Sequence, residues 1–283
     1  MAIGLSTYSF FWRWHPTATE PLSLPGMLAR TQDWGAELLQ VCDHPAIEEY
    51  DEAQLRELAG DARRRGLELE LGTRGIGTEH LGRYLGIAER LEARLVRSMV
   101  TAQEADAAEE LLRAVLPAYE RAGVVLALET YEQVPTPRLV EVVEAVGSPA
   151  LGICLDPANC VAALEHPVAT VELTADLVRN LHVKDFGFSR QAGWVGFTLA
   201  GVPLGEGLLD LDHLYATVRP VQRDISQVVE HWLVWQGDSA TTCRLEDEWT
   251  QHSLDRMRRL AASGDHRTDR DRTETSTTRR GTT

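Results

Sequence analysis

The run VRNLHVKDF at 178–186 closes an apolar segment on a histidine, a lysine and an aspartate that strand packing alone gives no reason to keep together. Three further apolar runs end on acids: GVVLALET reaches Glu129, LGICLDPAN reaches Asp156 and DISQVVEHW reaches Glu230. Any one of these residues alone reads as a helix cap or a solvated loop residue. Brought together, Glu129, Asp156, His182 and Glu230 are a hard, mostly oxygen donor set suited to Mn²⁺, Mg²⁺ or Co²⁺, and to Zn²⁺ as well. Three carboxylates converging without a cation repel one another and raise their pKa values, a cost that a divalent ion removes. Such an ion, bridging the carbonyl and hydroxyl oxygens of an α-hydroxy ketone or aldehyde, stabilises the enediolate left by loss of a carbon-bound proton.

The convergence depends on the elements that carry these residues. Eight short apolar runs recur: IGLSTYSF, ELLQVCDH, GLELELGTRG, ARLVRSMV and the four that end on the candidate ligands. Segments with helical spacing separate them. EAQLRELAGDARRRG ends in arginines and a glycine, TAQEADAAEELLRAVLPAYERAG opens at Thr101 and stops at Gly123, and TPRLVEVVEAVGS places Thr136 before Pro137. Eight strands alternating with helices predict a single (β/α)8 TIM barrel, whose active site lies at the C-terminal ends of the strands. A doubly wound open sheet is the competitor, but no Gly-x-Gly-x-x-Gly follows the first strand.

The chain is 283 residues long and 43% hydrophobic, enough for one large core, and we expect a barrel domain over 1–263. Residues 264–283, GDHRTDRDRTETSTTRRGTT, offer no apolar anchor and read as a disordered C-terminal tail. With 28 basic against 43 acidic residues the formal charge is −15, which argues against a nucleic-acid partner. The four cysteines lack Cys-x-x-Cys spacing and read as free thiols in a reducing compartment. MAIGLSTYSF has no basic n-region, and no apolar run is long enough to span a bilayer, so a soluble cytoplasmic protein with no membrane partner is expected.

In order along the chain, ALETYE, GICLDPANC, NLHVKDF, LGEGLLD and VVEHW resemble the sugar isomerase/epimerase group of the xylose isomerase-like TIM barrels. That resemblance implies one divalent metal, Mn²⁺ first, held by Glu129, Asp156, His182 and Glu230, with Glu129 and Glu230 also serving as the acid/base pair. It further implies a small carbohydrate substrate, and relatives that form homo-oligomers make such an assembly an expectation here. The departures matter as well. The endonuclease IV relatives carry a histidine three residues after the aspartate, where this chain has Asn159, and they have an Asp-x-His pair that is missing here. Ketose 3-epimerases also tend to have that histidine.

Around the four ligands, Asn159, Lys184 and Arg190 are candidate substrate contacts. Lys184 lies two residues past His182 and so points to the same side of an extended strand. Its alternative is a solvent-facing partner for Asp185, which itself reads as a residue that orients the following loop. Arg190 sits in FGFSRQAGW, read as a mobile loop, and PLGEGLLD reads as a second loop able to close over the mouth. Tyr8, Phe10, Phe11, Trp12 and Trp14 crowd the end of the first strand, as core or as an apolar wall against a ligand.

The main functional expectation is a metal-dependent isomerase or epimerase acting on a sugar, keto-sugar or related polyol. The alternative is a dehydratase or lyase on a keto-sugar, keto-inositol or dehydroshikimate-like acid, in which the same carbanion expels a leaving group. A non-catalytic sugar-binding barrel is the third reading.

Overall fold

Apolar runs of four to six residues, buried along most of their length, form the parallel strands of a closed barrel. The computed structural model describes the backbone of residues 1–277. In chain order the elements are β1 (Ile3–Ser6), α1 (Phe11–Trp14), α2 (Leu24–Asp33), β2 (Leu38–Cys42), α3 (Ala46–Glu49), α4 (Glu52–Arg65) and β3 (Glu68–Gly72). Next come α5 (Thr78–Leu91), β4 (Leu95–Ser98), α6 (Ala108–Ala122), β5 (Val125–Glu129), α7 (Thr136–Val146), β6 (Leu151–Leu155) and α8 (Pro167–Thr174). The chain ends with β7 (Val178–Val183), β8 (Asp185–Arg190), β9 (Phe197–Val202), α9 (Leu211–Val218), β10 (Ser226–Val229) and α10 (Ser239–Thr277).

The barrel closes in the order β1-β10-β7-β6-β5-β4-β3-β2, with the helices around it, so the eight-stranded TIM barrel expected from the sequence is the fold. Every one of the eight apolar runs supplies a barrel strand. The segment read as a mobile loop around Arg190 is instead an antiparallel hairpin, β8 against β9, with Asp185 opposite Val202 and Arg190 opposite Phe197. Its side chains alternate between the two faces, with Gly193 at φ 78° and Gly196 at φ 82° turning the chain between the strands.

Helix ends follow local chemistry. Asp51 and Gln54 form a reciprocal capping box at the start of α4, and Gly66, at φ 72°, ends it in the left-handed region that glycine adopts without strain. Helix α6 begins at Ala108, not at Thr101. The Thr101 hydroxyl donates to Glu104 at 2.7 Å, and the other Glu104 oxygen accepts the Ile76 N–H at 2.8 Å, so this polar pair ties down the loop after β3. Helix α10 packs on β1 and continues to Thr277; the first part of the expected tail is therefore helical, and 278–283 lie outside the described residues. None of the described helices is long and apolar enough to cross a membrane.

One large hydrophobic cluster fills the space between strands and helices. Inside the barrel, Leu95, Ala127 and Cys154 pack together beside a polar layer formed by Gln40, Glu70, Asn180 and Ser226. The parallel register sets Glu129 beside Cys154 and His182 beside Val228.

Candidate functional site

Four neighbouring strands deliver the donor atoms to one end of the barrel. Glu129 is the last residue of β5, Asp156 and Glu230 directly follow β6 and β10, and His182 lies within β7. All four are at most 4% exposed. The imidazole Nδ1 is the common point: Glu230 Oε1 lies 3.4 Å away, Glu129 Oε1 3.7 Å and Asp156 Oδ2 3.9 Å. The four ligands proposed from the strand ends are therefore brought together.

Each of the four side chains is oriented by a partner on its other side. The Asp156 Oδ1 accepts the backbone N–H groups of Ala158 (3.1 Å) and Asn159 (3.2 Å), which aims Oδ2 at the centre. Asn159 donates its side-chain N–H to Glu129 Oε1 at 2.7 Å, which fixes that carboxylate. The His182 Nε2 contacts Gln40 Oε1 at 2.7 Å. The buried atoms His182 Nδ1 and Glu230 Oε1 make no hydrogen bond. Buried polar atoms without partners are uncommon, and a lone pair facing three carboxylates fits a cation.

Two buried cations border the cluster. Lys184 Nζ lies 2.6 Å from Asp156 Oδ2, 3.1 Å from Glu230 Oε2 and 4.8 Å from the centre of the Trp232 ring. Asn180, His182 and Lys184 thus share the inward face of β7 and its extension, as a period of two requires, and the solvent-facing alternative for Lys184 is set aside. Arg97 forms an ion pair with Glu129 Oε2 through Nε and reaches Asp43 Oδ2 at 3.4 Å through Nη1. Arg97 was not singled out in the sequence because it stands inside the apolar run LVRSMV, not at its end. A charge in the middle of such a run was the signal.

Electrostatics follow from this packing. Burial favours the neutral form of the Glu129 carboxyl, but Arg97, His182 and Lys184 outweigh it and hold the group below the usual carboxylate range. Burial pushes the Asp156 carboxyl up to about 6, with Glu129 and Glu230 adding to the rise and Lys184 opposing it. Burial would lower the His182 pKa, yet the surrounding carboxylates raise it, because they favour positive charge at this position. Cys42 and Cys154 also come near the centre, each with His182 and one glutamate, within 4.8 Å ligand spacing. Burial raises the pKa of both thiols, and each donates to an amide oxygen, Gln40 Oε1 (2.9 Å) and Asn180 Oδ1 (3.1 Å).

Beside the cluster, at the ends of β1, β2 and β3, a cleft of about 390 Å³ is lined by Tyr8, Asp43, His44, Arg74 and His80 among others. The Arg74 guanidinium is 56% exposed there, held by Asp43 (3.2 Å) and the Tyr8 hydroxyl (2.7 Å). The aromatic group divides. Phe10 is buried and stacks on Trp34 at 5.5 Å, so it is core, whereas Phe11, Trp12 and Trp14 lie half-buried on α1. Arg190 is placed at the exposed outer end of the hairpin with its guanidinium 4.6 Å over the Phe197 ring, outside the buried cluster.

Asp185 does orient the following loop. Its carboxylate accepts N–H groups from Gly205 (2.9 Å), Gly207 (3.0 Å) and Leu209 (3.0 Å). A Cβ on Gly207 would collide with the Asp185 carboxylate and the Phe186 carbonyl, so the wrapping requires glycine there. Glu206 is left exposed.

Residues 28–260 match the family model described as xylose isomerase-like TIM barrel. The chain is 54% identical over 258 residues to 3-oxo-isoapionate decarboxylase of Pectobacterium atrosepticum, covering 90% of this chain and 94% of that protein. Among solved structures, D-psicose 3-epimerase in the presence of D-fructose superposes with a TM-score of 0.71 at 14% identity, over 92% of this chain and 99% of that one. A xylose isomerase-like TIM barrel protein from Mycobacterium smegmatis in complex with magnesium gives 0.64 at 16% identity, over 90% and 97%. At those identities the two structures bear on the fold alone.

Proposed function

The chain belongs to the xylose isomerase-like TIM barrel family, and from that premise we propose that it is a divalent-metal-dependent lyase that decarboxylates a 3-oxo sugar acid. The relationship that carries this reading is the 54% identity to a 3-oxo-isoapionate decarboxylase along nearly the whole of both chains. The isomerase expectation differed in one step only. Both reactions pass through the enolate of a ketone, but here it forms by loss of carbon dioxide and no proton is first removed.

In a 3-oxo acid the bond between the carboxylate and its neighbouring carbon breaks, its electron pair moves towards the ketone oxygen, and carbon dioxide departs. A proton then closes the sequence on carbon. A divalent cation held by Glu129, Asp156, His182 and Glu230 supplies Lewis-acid stabilisation of the oxygen on which that charge develops. Among the cations named above, the hard donor set favours Mn²⁺ or Mg²⁺.

The remaining roles fall to the chain's own groups. Arg97 and Asn159 keep Glu129 ionised and fixed, which suits a ligand better than a proton donor. Lys184 shares its protons with Glu230 at 3.1 Å, and this pair is the proton source for the carbon left by carbon dioxide. Arg74, exposed in the adjoining cleft and oriented by Asp43 and Tyr8, offers a cation to the substrate carboxylate. Charge supports an acidic substrate: three carboxylates against Lys184 and Arg97 leave one negative charge, a divalent ion turns this into one positive charge, and an anion neutralises it.

The test is incubation of Mn²⁺-loaded protein with 3-oxo-isoapionate, following carbon dioxide and product mass, with His182→Ala as the inactive control. Carbon dioxide with a product one carbon shorter supports the reading. A product of unchanged mass returns the isomerase reading, and loss of water the dehydratase. No turnover by metal-loaded protein would sink the substrate assignment.

A further inference from the structure

Below the metal ligands lies a closed network of buried amides, a carboxylate and the half-buried Ser226 hydroxyl that the reaction itself does not use. Gln40 Nε2 donates to Glu70 Oε2 at 2.9 Å and to Asn180 Oδ1 at 3.1 Å. Asn180 Nδ2 donates to Glu70 Oε2 at 3.2 Å and to Ser226 Oγ at 2.8 Å, and the Ser226 hydroxyl donates to Glu70 Oε1 at 2.7 Å. Cys154 Sγ donates to Asn180 Oδ1 at 3.1 Å. Gln40 and Asn180 are fully buried, and Glu70 is 7% exposed.

With Glu70 ionised, the polarity of this network has one self-consistent solution. Burial raises the Glu70 pKa and the hydrogen bonds from Ser226 and Gln40 oppose that rise; the ionised carboxylate is acceptor-only, so each group facing it must be a donor. Turning the Gln40 amide over would set its oxygen against Glu70 Oε2 and Asn180 Oδ1, oxygen facing two oxygens. With the amide nitrogen committed to Glu70, its oxygen must face the His182 ring, where it lies 2.7 Å from Nε2. An oxygen there accepts a hydrogen, so the ring proton sits on Nε2 and the lone pair on Nδ1 points at the three carboxylates.

We propose that Glu70, acting through Gln40, is a positioning residue that fixes the His182 tautomer and thereby keeps Nδ1 ready for the metal. This rests on the metal-site part of the function proposed above. Glu70 touches none of the four ligands in this network; it sets the direction of an amide that touches one. The chain of direction runs from β3 through β2 to β7, across the barrel interior.

The experiment needs no substrate. In chelator-treated, ¹⁵N-histidine-labelled wild type, at a pH above the titration of the ring, long-range proton–nitrogen spectra should show His182 protonated on Nε2. Glu70→Gln supplies an amide that can donate to Gln40 and release its orientation. We expect that variant to shift His182 towards the Nδ1–H form and to bind Mn²⁺ alone roughly 10- to 100-fold more weakly, read by the paramagnetic resonance of free Mn²⁺. Gln40→Met, which removes the acceptor altogether, should also lose the Nε2–H preference and keeps the test open if Glu70→Gln fails to fold.

Wild type protonated on Nδ1 would overturn the proposal outright. So would either folded variant that keeps the wild-type tautomer and a Mn²⁺ affinity within about twofold of wild type. Failure of wild type to bind Mn²⁺ at all would refute the metal site itself, whereas normal wild-type binding with unaffected variants refutes only the positioning role.

Discussion

Lys184 and a divalent cation compete for the same two carboxylates, and Lys184→Met exposes that competition. In the buried cluster Nζ lies 2.6 Å from Asp156 Oδ2 and 3.1 Å from Glu230 Oε2. At an effective dielectric near 20 each contact is worth about 5–6 kcal/mol before desolvation is counted. Removing one partner of a buried ion pair leaves a net loss of about 3–5 kcal/mol. In a chain of this size that lowers the melting temperature by about 6–20 °C. The loss should appear in chelator-treated protein, where Asp156 and Glu230 are left facing each other and Glu129 with Arg97 alone in support. With Mn²⁺ at saturation, the metal compensates the same carboxylates and most of the difference between wild type and variant should vanish. The variant should accordingly bind Mn²⁺ more tightly than wild type. Melting curves of both proteins, with chelator and with excess Mn²⁺, give the four corners of a thermodynamic cycle. An equal loss under both conditions would refute the shared-carboxylate argument. No loss in chelator would show that the three carboxylates are not ionised together.

Other expectations follow from single contacts. Asn159→Ala frees Glu129 Oε1 from its 2.7 Å donor and should weaken Mn²⁺ binding roughly 10- to 100-fold, measured by titration calorimetry. Gly207→Ala cannot keep the loop wrapped on Asp185, and we expect a loss of about 1–3 kcal/mol, read by urea denaturation. The Glu246 carboxyl, pushed by burial from 4.5 up to about 8, accepts the Trp12 N–H at 2.8 Å. Between those two pKa values the folded chain holds a proton that the unfolded chain has released, so this group's stabilising contribution is full below the lower value and is lost as pH rises through the upper one. Glu246→Gln should remove that slope, at most about 1.4 kcal/mol per pH unit, and gain on wild type steadily as pH rises; parallel denaturation curves refute it.

The barrel and the convergence of the four candidate side chains were legible because they obey a positional rule. A buried parallel strand is a continuous apolar run, and the polar residue that ends it stands at the mouth, which located Glu129, Asp156, His182 and Glu230. Arg97 and Gln40 escaped because they sit within strands, facing the barrel interior, where a polar residue leaves no mark on a run's boundary. The β8–β9 hairpin escaped for a different reason. Its glycines and exposed polar residues carry the composition of a loop, while its pairing is set by alternation across a turn that composition does not record. Lys184 could be placed by alternation from His182, but whether it met solvent or carboxylates depended on β6 and β10. The choice between the isomerase expectation and its lyase alternative had no positional signal, since both readings draw on the same four residues.

All four proposed ligands come from the second half of the barrel, β5 to β10, and the groups that aim them come partly from the first: Gln40 on β2, Glu70 on β3 and Arg97 on β4. The two halves are consequently not interchangeable modules. A chimera joining this second half to an unrelated first half would inherit the complete ligand list, yet lose the hydrogen bond on the imidazole and the arginine on Glu129. Inheritance of the ligand motif and inheritance of a prepared site are thus separable events, and the seam between them runs along the β4–β5 pairing, where Ser98 faces Leu128.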